Sequence, residues 1–458
     1  MKHPFDTFPC NLLPSDATAA RLLGLHPQRQ PGLWMQRAKV PGGVATTGQW
    51  QALADIGREL IPGTPLHLTT RQDVEVHDLT AEMAPPVQKR LSEAGLTGFG
   101  ACGDTVRNVT VCPCSGTASG RPDLLGLARD IGRLLDRTKG IYSLPRKFKI
   151  SLSACREGCG RPWVNDVGFV ADKRSGVWGF EVIAGGSLGP RPGTGMRIFD
   201  WVEAGEAPAC VLAAVRVFAA LGDRTRRRRA RLRHVRERLG DEEFAAVFRS
   251  AHAKERAERS WPAVHLEDAQ EAFPAALPLM FDNGDMTPDA ADALAALAER
   301  EDLRVRIATD HRVLVFGRDG KTVHDAVTQF ADLAEAARPK PVVVACPGTR
   351  WCGHALTDTN RLADRLRAEL AGRLPEETAV CISGCPNGCA HSTVAAIGLV
   401  GGLAGRGGEK REVFTLHAGG GMGRDARLAQ RVAHGLSADE AVAEIRRLAE
   451  KGLPAGGS

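Results

Sequence analysis

Residues 150–170 read ISLSACREGCGRPWVNDVGFV, and residues 380–400 read VCISGCPNGCAHSTVAAIGLV. Laid over each other at an offset of 230, Cys155 falls on Cys385, Cys159 on Cys389, Gly158 on Gly388 and Gly168 on Gly398. Each segment opens on an apolar run, passes a Cys-x-x-x-Cys turn, and closes on a second apolar run that holds a glycine. Short apolar runs bounded by turn residues predict strands. The chain repeats itself, and any fold proposed for it must accommodate that repeat.

Working outward, Thr110-Val111-Cys112-Pro113 parallels Val344-Ala345-Cys346-Pro347. A helix-period stretch follows each: LLGLARDIGRLLDR in one half, ALTDTNRLADRLRAEL in the other. Further upstream, LHLTTRQDVEV (66–76) parallels VRIATDHRVLV (305–315), preceded by the helical stretches QWQALADIGREL and AADALAALAERE. The order is a small domain, then a cysteine-bearing domain, twice over. This predicts an α+β chain with boundaries near 1–85, 86–262, 263–338 and 339–458. The joint carries RTRRRRARLRHVRERLG at 224–240. Leu232, Val235 and Leu239 give that run an apolar stripe, so a solvated helix is expected there. No aromatic interleaving marks a nucleic-acid surface.

At 458 residues, 43% hydrophobic and 25% charged, with a net charge of +6, the composition is that of a soluble globular protein. The opening MKHPFDTFPCNLLP lacks a secretory pattern, and no apolar run is read as a membrane span. A cytoplasmic setting is expected.

Ten of the 12 cysteines fall in three stretches: 102–114, 155–159 and 346–389. Clustered cysteines outside a secreted chain point to metal or redox chemistry. Cys10 and Cys210 stand apart and are read as buried thiols. Cys346 and Cys352 flank PGTRW, while Cys385 and Cys389 flank PNG. Four thiolates from two loops can hold a [4Fe-4S] cubane, one per iron. Gly348, Gly384 and Gly388 let the backbone turn and aim amides at sulfur. A zinc site is the rival reading, but zinc usually takes two short Cys-x2-4-Cys knuckles. Packed thiols are the bland one, and Cys381 is read that way.

CPGTRWC, then SGCPNGC and a Gly-Leu-Val strand, resembles the siroheme-dependent sulfite and nitrite reductases. LHLTTRQ resembles that family's Arg-Leu-Thr-x-Arg-Gln strand, VRNVTVCP its Arg-Asn-Val segment, and LPRKFK its Leu-Pro-Arg-Lys-Phe-Lys segment. The resemblance spans roughly 31–400. It implies two ferredoxin-like half-domains and two cluster/siroheme-type domains in a pseudo-two-fold arrangement, with siroheme between the halves. It implies that Cys389 bridges cluster and siroheme iron, that Gln72 and Asn108 attend the cofactor, and that Arg71, Arg107, Lys147 and Lys149 bind the anion. An anion enters a buried pocket only where cations offset its lost hydration. Lys147 and Lys149 are two apart, so on a strand they share a face, with Arg146 and Phe148 opposite. Arg71 aligns with Asp310, Lys147 with Glu377 and Lys149 with Ala379. The cations thus belong to the first half and the cluster cysteines to the second.

The expected reaction is six-electron reduction of sulfite to sulfide, with nitrite to ammonia the close alternative. Nitrite-specific relatives tend to carry Asn where this chain has Lys149. An oxygen-dependent precorrin-3B synthase shares the scaffold, but its large substrate leaves the RKFK segment without a purpose. A non-enzymatic cluster protein leaves the anion set unexplained. Cys112, Cys114, Cys155 and Cys159 are read as packed thiols in preference to a second cluster. No crosslink is expected at Tyr142. HAGGGMGRD (417–425) is either a cofactor loop or a plain turn. With no G-x-G-x-x-G, electrons come from a separate donor, a small acidic ferredoxin or a flavoprotein. Internal duplication makes a monomer sufficient.

Overall fold

Two five-stranded sheets of the same topology organise the molecule. In the first, Val106–Val111, Phe148–Ser153 and Val167–Arg174 run parallel, and Val177–Ala184 and Met196–Glu203 follow antiparallel. In the second, Val343–Ala345, Val380–Ser383 and Ile397–Ala404 run parallel, followed antiparallel by Arg411–Ala418 and Gln430–Leu436. The register repeats too: Leu152 pairs with Phe169 as Ile382 pairs with Leu399. Parallel neighbours need a crossover, supplied by the helices Leu125–Asp136 and Thr359–Leu370. Each buries one stripe, Leu127, Ile131 and Leu135 in one and Leu362, Leu366 and Leu370 in the other. The computed structural model describes residues 17–118, 120–269, 273–375, 378–405 and 409–451. Cys10, Glu377, the opening MKHPFDTFPCNLLP and the closing GLPAGGS lie outside them.

The two small domains share one hydrophobic core, drawn from residues 20–96 and 279–336. Asp285–Met286 of the second pairs with Leu66–Leu68 of the first, completing a five-stranded sheet across the duplication. Their helices Thr47–Asp55 and Pro288–Glu299 start on local signals. Thr46 closes a capping box with Gln49, and the Thr287 hydroxyl accepts from the Ala290 amide ahead of Pro288.

Ala204–Leu221 is long and apolar enough by composition to cross a membrane, which the sequence reading did not anticipate. It is mostly buried, and Cys210, Val211 and Phe218 pack into the core of the first cysteine-bearing domain. Within 224–240, the helix Leu232–Leu239 buries Leu232 and Val235 as expected. The solvated-helix reading fails at Arg231, which is 9% exposed.

The glycines after each Cys turn are places of close approach. A Cβ on Gly398 would lie 1.7 Å from the Ser392 carbonyl oxygen, and one on Gly168 would lie 2.5 Å from Pro162. No backbone shift small enough to keep the turn relieves the first contact. Gly398→Ala is therefore expected to cost more than ~3 kcal/mol. Gly402→Ala, where the nearest atom is 3.7 Å away, should cost under ~1 kcal/mol. Thermal melts of the two variants check the contrast.

Candidate functional site

Each Cys-x-x-x-Cys turn is built by local chemistry. Ser383 Oγ accepts the Ala390 amide at 3.2 Å, and Gly388 takes φ +67° so that its amide reaches the Cys385 carbonyl at 3.4 Å. The turn then ends at His391, also left-handed at φ +64°. In the first half Ser153, Gly160, Gly158 and Arg161 repeat the pattern. Arg161 and His391, equivalents 230 residues apart, touch: Arg161 Nη1 donates to His391 Nδ1 at 2.5 Å. Contact between equivalent residues puts them on the pseudo-two-fold axis.

Cys346 follows the strand Val343–Ala345, and its Sγ accepts the Gly384 amide at 3.2 Å. Gly348, at φ +58°, opens the short helix Gly348–Trp351 that delivers Cys352. A Cβ there would lie 2.3 Å from Thr359 Oγ1. The four thiols sense one another. Burial pushes Cys346 up to about 12 and Cys385 up to about 11, and Cys352 and Cys389 add to both. Cys389 is exposed. Among the described residues, no three His, Cys, Asp or Glu side chains converge tightly enough to hold a single metal ion. A cubane, with one thiolate per iron, needs wider spacing than one tetrahedral ion.

The first half clamps this loop pair. Arg29 N–H donates to the Trp351 carbonyl at 2.8 Å, and the Trp351 ring stacks on His77 at 3.8 Å. Thr70 Oγ1 donates to the Cys389 carbonyl at 2.9 Å. Arg71 therefore comes up beside the cysteine turn.

The predicted cations gather there. Arg71 donates to Asn165 Oδ1 at 3.0 Å and to the Asn108 and Ile150 carbonyls at 2.6 and 3.1 Å, while its buried Nε has no partner. Burial brings Arg71 and Arg107 each down to about 10. Lys147 is brought down to about 8 by burial; Arg231, Arg107 and Arg146 add to this, and the Cys389 sulfur opposes it. Burial, with Arg71, Lys147 and Arg231, holds Lys149 well below the usual lysine range. Neither lysine ammonium has a hydrogen-bond or ion-pair partner among the described residues. Arg146 turns to Asp104 at 3.5 Å and Phe148 enters the core, as the strand period requires.

Gln72 and Asn108 do a different job. Gln72 Nε2 donates to the Val111 and Ile307 carbonyls at 2.8 and 2.7 Å, and its Oε1 accepts the Val111 amide at 2.9 Å. Asn108 Nδ2 donates to the Val40 and Arg71 carbonyls at 2.9 and 3.2 Å. Both side chains tie backbones together with every amide donor used. Sequence reasoning missed Arg231, which pairs with buried Asp166 at 2.6 Å, because it sits in an arginine-rich run. It also missed Asn165, which holds Arg71, and Arg161, which meets His391. HAGGGMGRD lies against the first-half cysteine turn: a Cβ on Gly158 would meet Gly423 at 3.2 Å. A cleft of about 750 Å³ lined by Gln30, Asn283, Arg350, Asp364 and their neighbours contains none of the four cations or four thiols, and its geometry carries no chemistry of this kind.

A duplicated α+β fold that sets paired cysteine turns beside a buried arginine and two half-buried lysines without partners among the described residues defines a protein with thiol clusters next to a cationic site. The chain belongs to the nitrite and sulfite reductase family: residues 102–256 and 340–451 match the nitrite and sulphite reductase 4Fe-4S domain, and residues 26–94 match the nitrite/sulfite reductase ferredoxin-like half domain. It is 28% identical to the assimilatory ferredoxin-dependent nitrite reductase of Haloferax mediterranei, over 94% of this chain and 82% of that one. It is 26% identical to the sulfite reductase [ferredoxin] of Mycobacterium tuberculosis, over 89% and 77%. The solved structure of the Mycobacterium tuberculosis NirA protein superposes with a TM-score of 0.81 at 25% identity, covering 98% of this chain and 88% of that one. The chain is an oxidoreductase, and its cofactors are a [4Fe-4S] cluster and siroheme.

Proposed function

We propose that the chain reduces sulfite to sulfide by six electrons, taking them from a ferredoxin. The observation that carries this reading is the Lys147 and Lys149 pair: both half-buried, both without a partner among the described residues, both sensing the Cys389 sulfur. In this reading Cys346, Cys352, Cys385 and Cys389 would hold the cluster, and Cys389 would also serve the siroheme. The Gly384 amide aimed at Cys346 Sγ supports it, because such bonds stabilise cluster sulfur and set its potential. The unpartnered Nε of Arg71 and the free ammonium groups suit a carboxylate-rich macrocycle and an oxyanion. When bound, the cluster and siroheme supply the electrons and the iron at which the oxyanion reacts.

The chain's own residues do the rest. Arg71, held by two carbonyls and Asn165, is a fixed fork that orients charge. Lys147 and Lys149 hold the oxyanion and supply protons as its oxygens leave as water. Burial makes both ammonium groups readier acids than an exposed lysine. Gln72 and Asn108 position the Arg71 turn rather than meet the cofactor. The relatives include ferredoxin-dependent enzymes, which supports a ferredoxin donor, and the net charge of +6 suits a small acidic partner. A cytoplasmic setting fits, with the one long apolar helix among the described residues mostly buried in the core.

Nitrite reduction is the second reading, favoured by the name of the Haloferax relative. A second cation suits sulfite better, because sulfite carries more charge into the pocket. Steady-state turnover with reduced viologen decides: kcat/KM is expected to be higher for sulfite, and a higher value for nitrite overturns the proposal. The same assay reads the pH dependence. The ammonium of Lys147 is the active form, so kcat/KM should fall as pH rises through about 8. Lys147→Arg, which stays charged, should lose that limb.

A further inference from the structure

We propose that Cys112, Cys114, Cys155 and Cys159 hold a second [4Fe-4S] cluster in the first half. The inference rests on reading the second-half turn as a cluster site, since the two are built alike. The Ala154 amide donates to Cys112 Sγ at 3.1 Å, as the Gly384 amide donates to Cys346 Sγ at 3.2 Å. Cys112 N–H donates to the Leu152 carbonyl at 2.9 Å, and Cys346 N–H to the Ile382 carbonyl at 3.0 Å. Gly158 and Gly388 share φ +67°. A backbone amide aimed at a cysteine sulfur stabilises negative charge on that sulfur, which a ligand carries and a packed thiol does not.

Packing accounts for one thiol only. Cys112 is buried, but Cys114 and Cys155 are half-buried and Cys159 is exposed. The thiols lie within reach of one another: Cys159 hydrogen-bonds to both Cys114 and Cys155. Arg121 lies close enough to feel all four sulfurs. A cation there offsets the charge that four thiolates and a cubane bring together. The Gly423 backbone packs against the turn at Gly158, covering one side of the site. The short Cys112-Pro113-Cys114 link differs from Cys346-x5-Cys352. The Cys114 carbonyl accepts the Thr117 hydroxyl at 2.9 Å, which fixes the turn that follows it. On assembly each thiol loses its proton and its sulfur bonds one iron, with no change of oxidation state required of the protein.

Native mass spectrometry with iron and acid-labile sulfide counts on anaerobically purified holoenzyme tests this. The wild type is expected to carry about eight cubane irons beside the siroheme iron. Cys114→Ser with Cys159→Ser should lose about four of them, and Cys346→Ala the other four. One cubane per wild-type chain, one zinc in its place, or a Cys114–Cys159 disulfide overturns the second site. Loss of all cubane iron in Cys346→Ala and none in the double variant removes the second site and leaves the main reading intact. The reverse pattern removes the main cluster assignment instead. The wild-type mass decides even where a variant fails to fold.

Discussion

Replacing Lys147 and Lys149 together by alanine should cut sulfite turnover by ~10²–10⁴-fold, the range that positioned proton donors contribute, while the siroheme absorbance stays. Both lysines are half-buried, lack partners among the described residues and sense Cys389, and Lys149 also feels Lys147. Removing them takes away the charge that offsets anion desolvation and the nearest proton source together. Retention of siroheme is expected because Arg71 and Arg107 keep their charge and their backbone anchors. The two singles should differ in kind. Lys149→Asn should move the kcat/KM ratio towards nitrite, whereas Lys147→Ala should weaken turnover of both anions and flatten the alkaline limb. Unchanged turnover in the double variant removes the anion-pocket assignment.

Cys389→Ala should cut turnover by more than the ~100-fold that losing a hydrogen-bond partner of a metal ligand costs, because in the proposed reading Cys389 would hold both cofactors. Cluster iron and siroheme-type absorbance should both fall. Cys381 provides the contrast. It lies four residues before Cys385 in the strand Val380–Ser383, fully buried. Cys381→Ala should leave iron content and turnover near wild type, at a stability cost of ~1 kcal/mol for the small cavity. Equal iron loss in the two variants would show that the spacing has been misread.

Much of this was legible because the duplication is local in sequence. The apolar run, the Ser before the turn, the positive-φ glycine and the close-packed glycine after it all lie within 150–170 and 380–400. Each dictates its own backbone without help from distant residues. The even spacing of Lys147 and Lys149 likewise announced one face. Gln72 read as a cofactor residue because its motif is local, yet its partners Val111 and Ile307 are remote. Arg231 read as a surface charge because eight other arginines share its run at 224–240, and only Asp166 shows otherwise.

From sequence alone came the repeat, the order of the domains, the two cysteine turns and the division of cations and thiols between halves. These follow from hydrophobic period, turn chemistry and residue spacing, which act over a few residues. Only the tertiary structure decided that the small domains share one core, that Arg161 meets His391 on the axis, and that Thr70 brings the cations up to Cys389. Those contacts join segments hundreds of residues apart, and their energies depend on burial and partner geometry that no local pattern encodes.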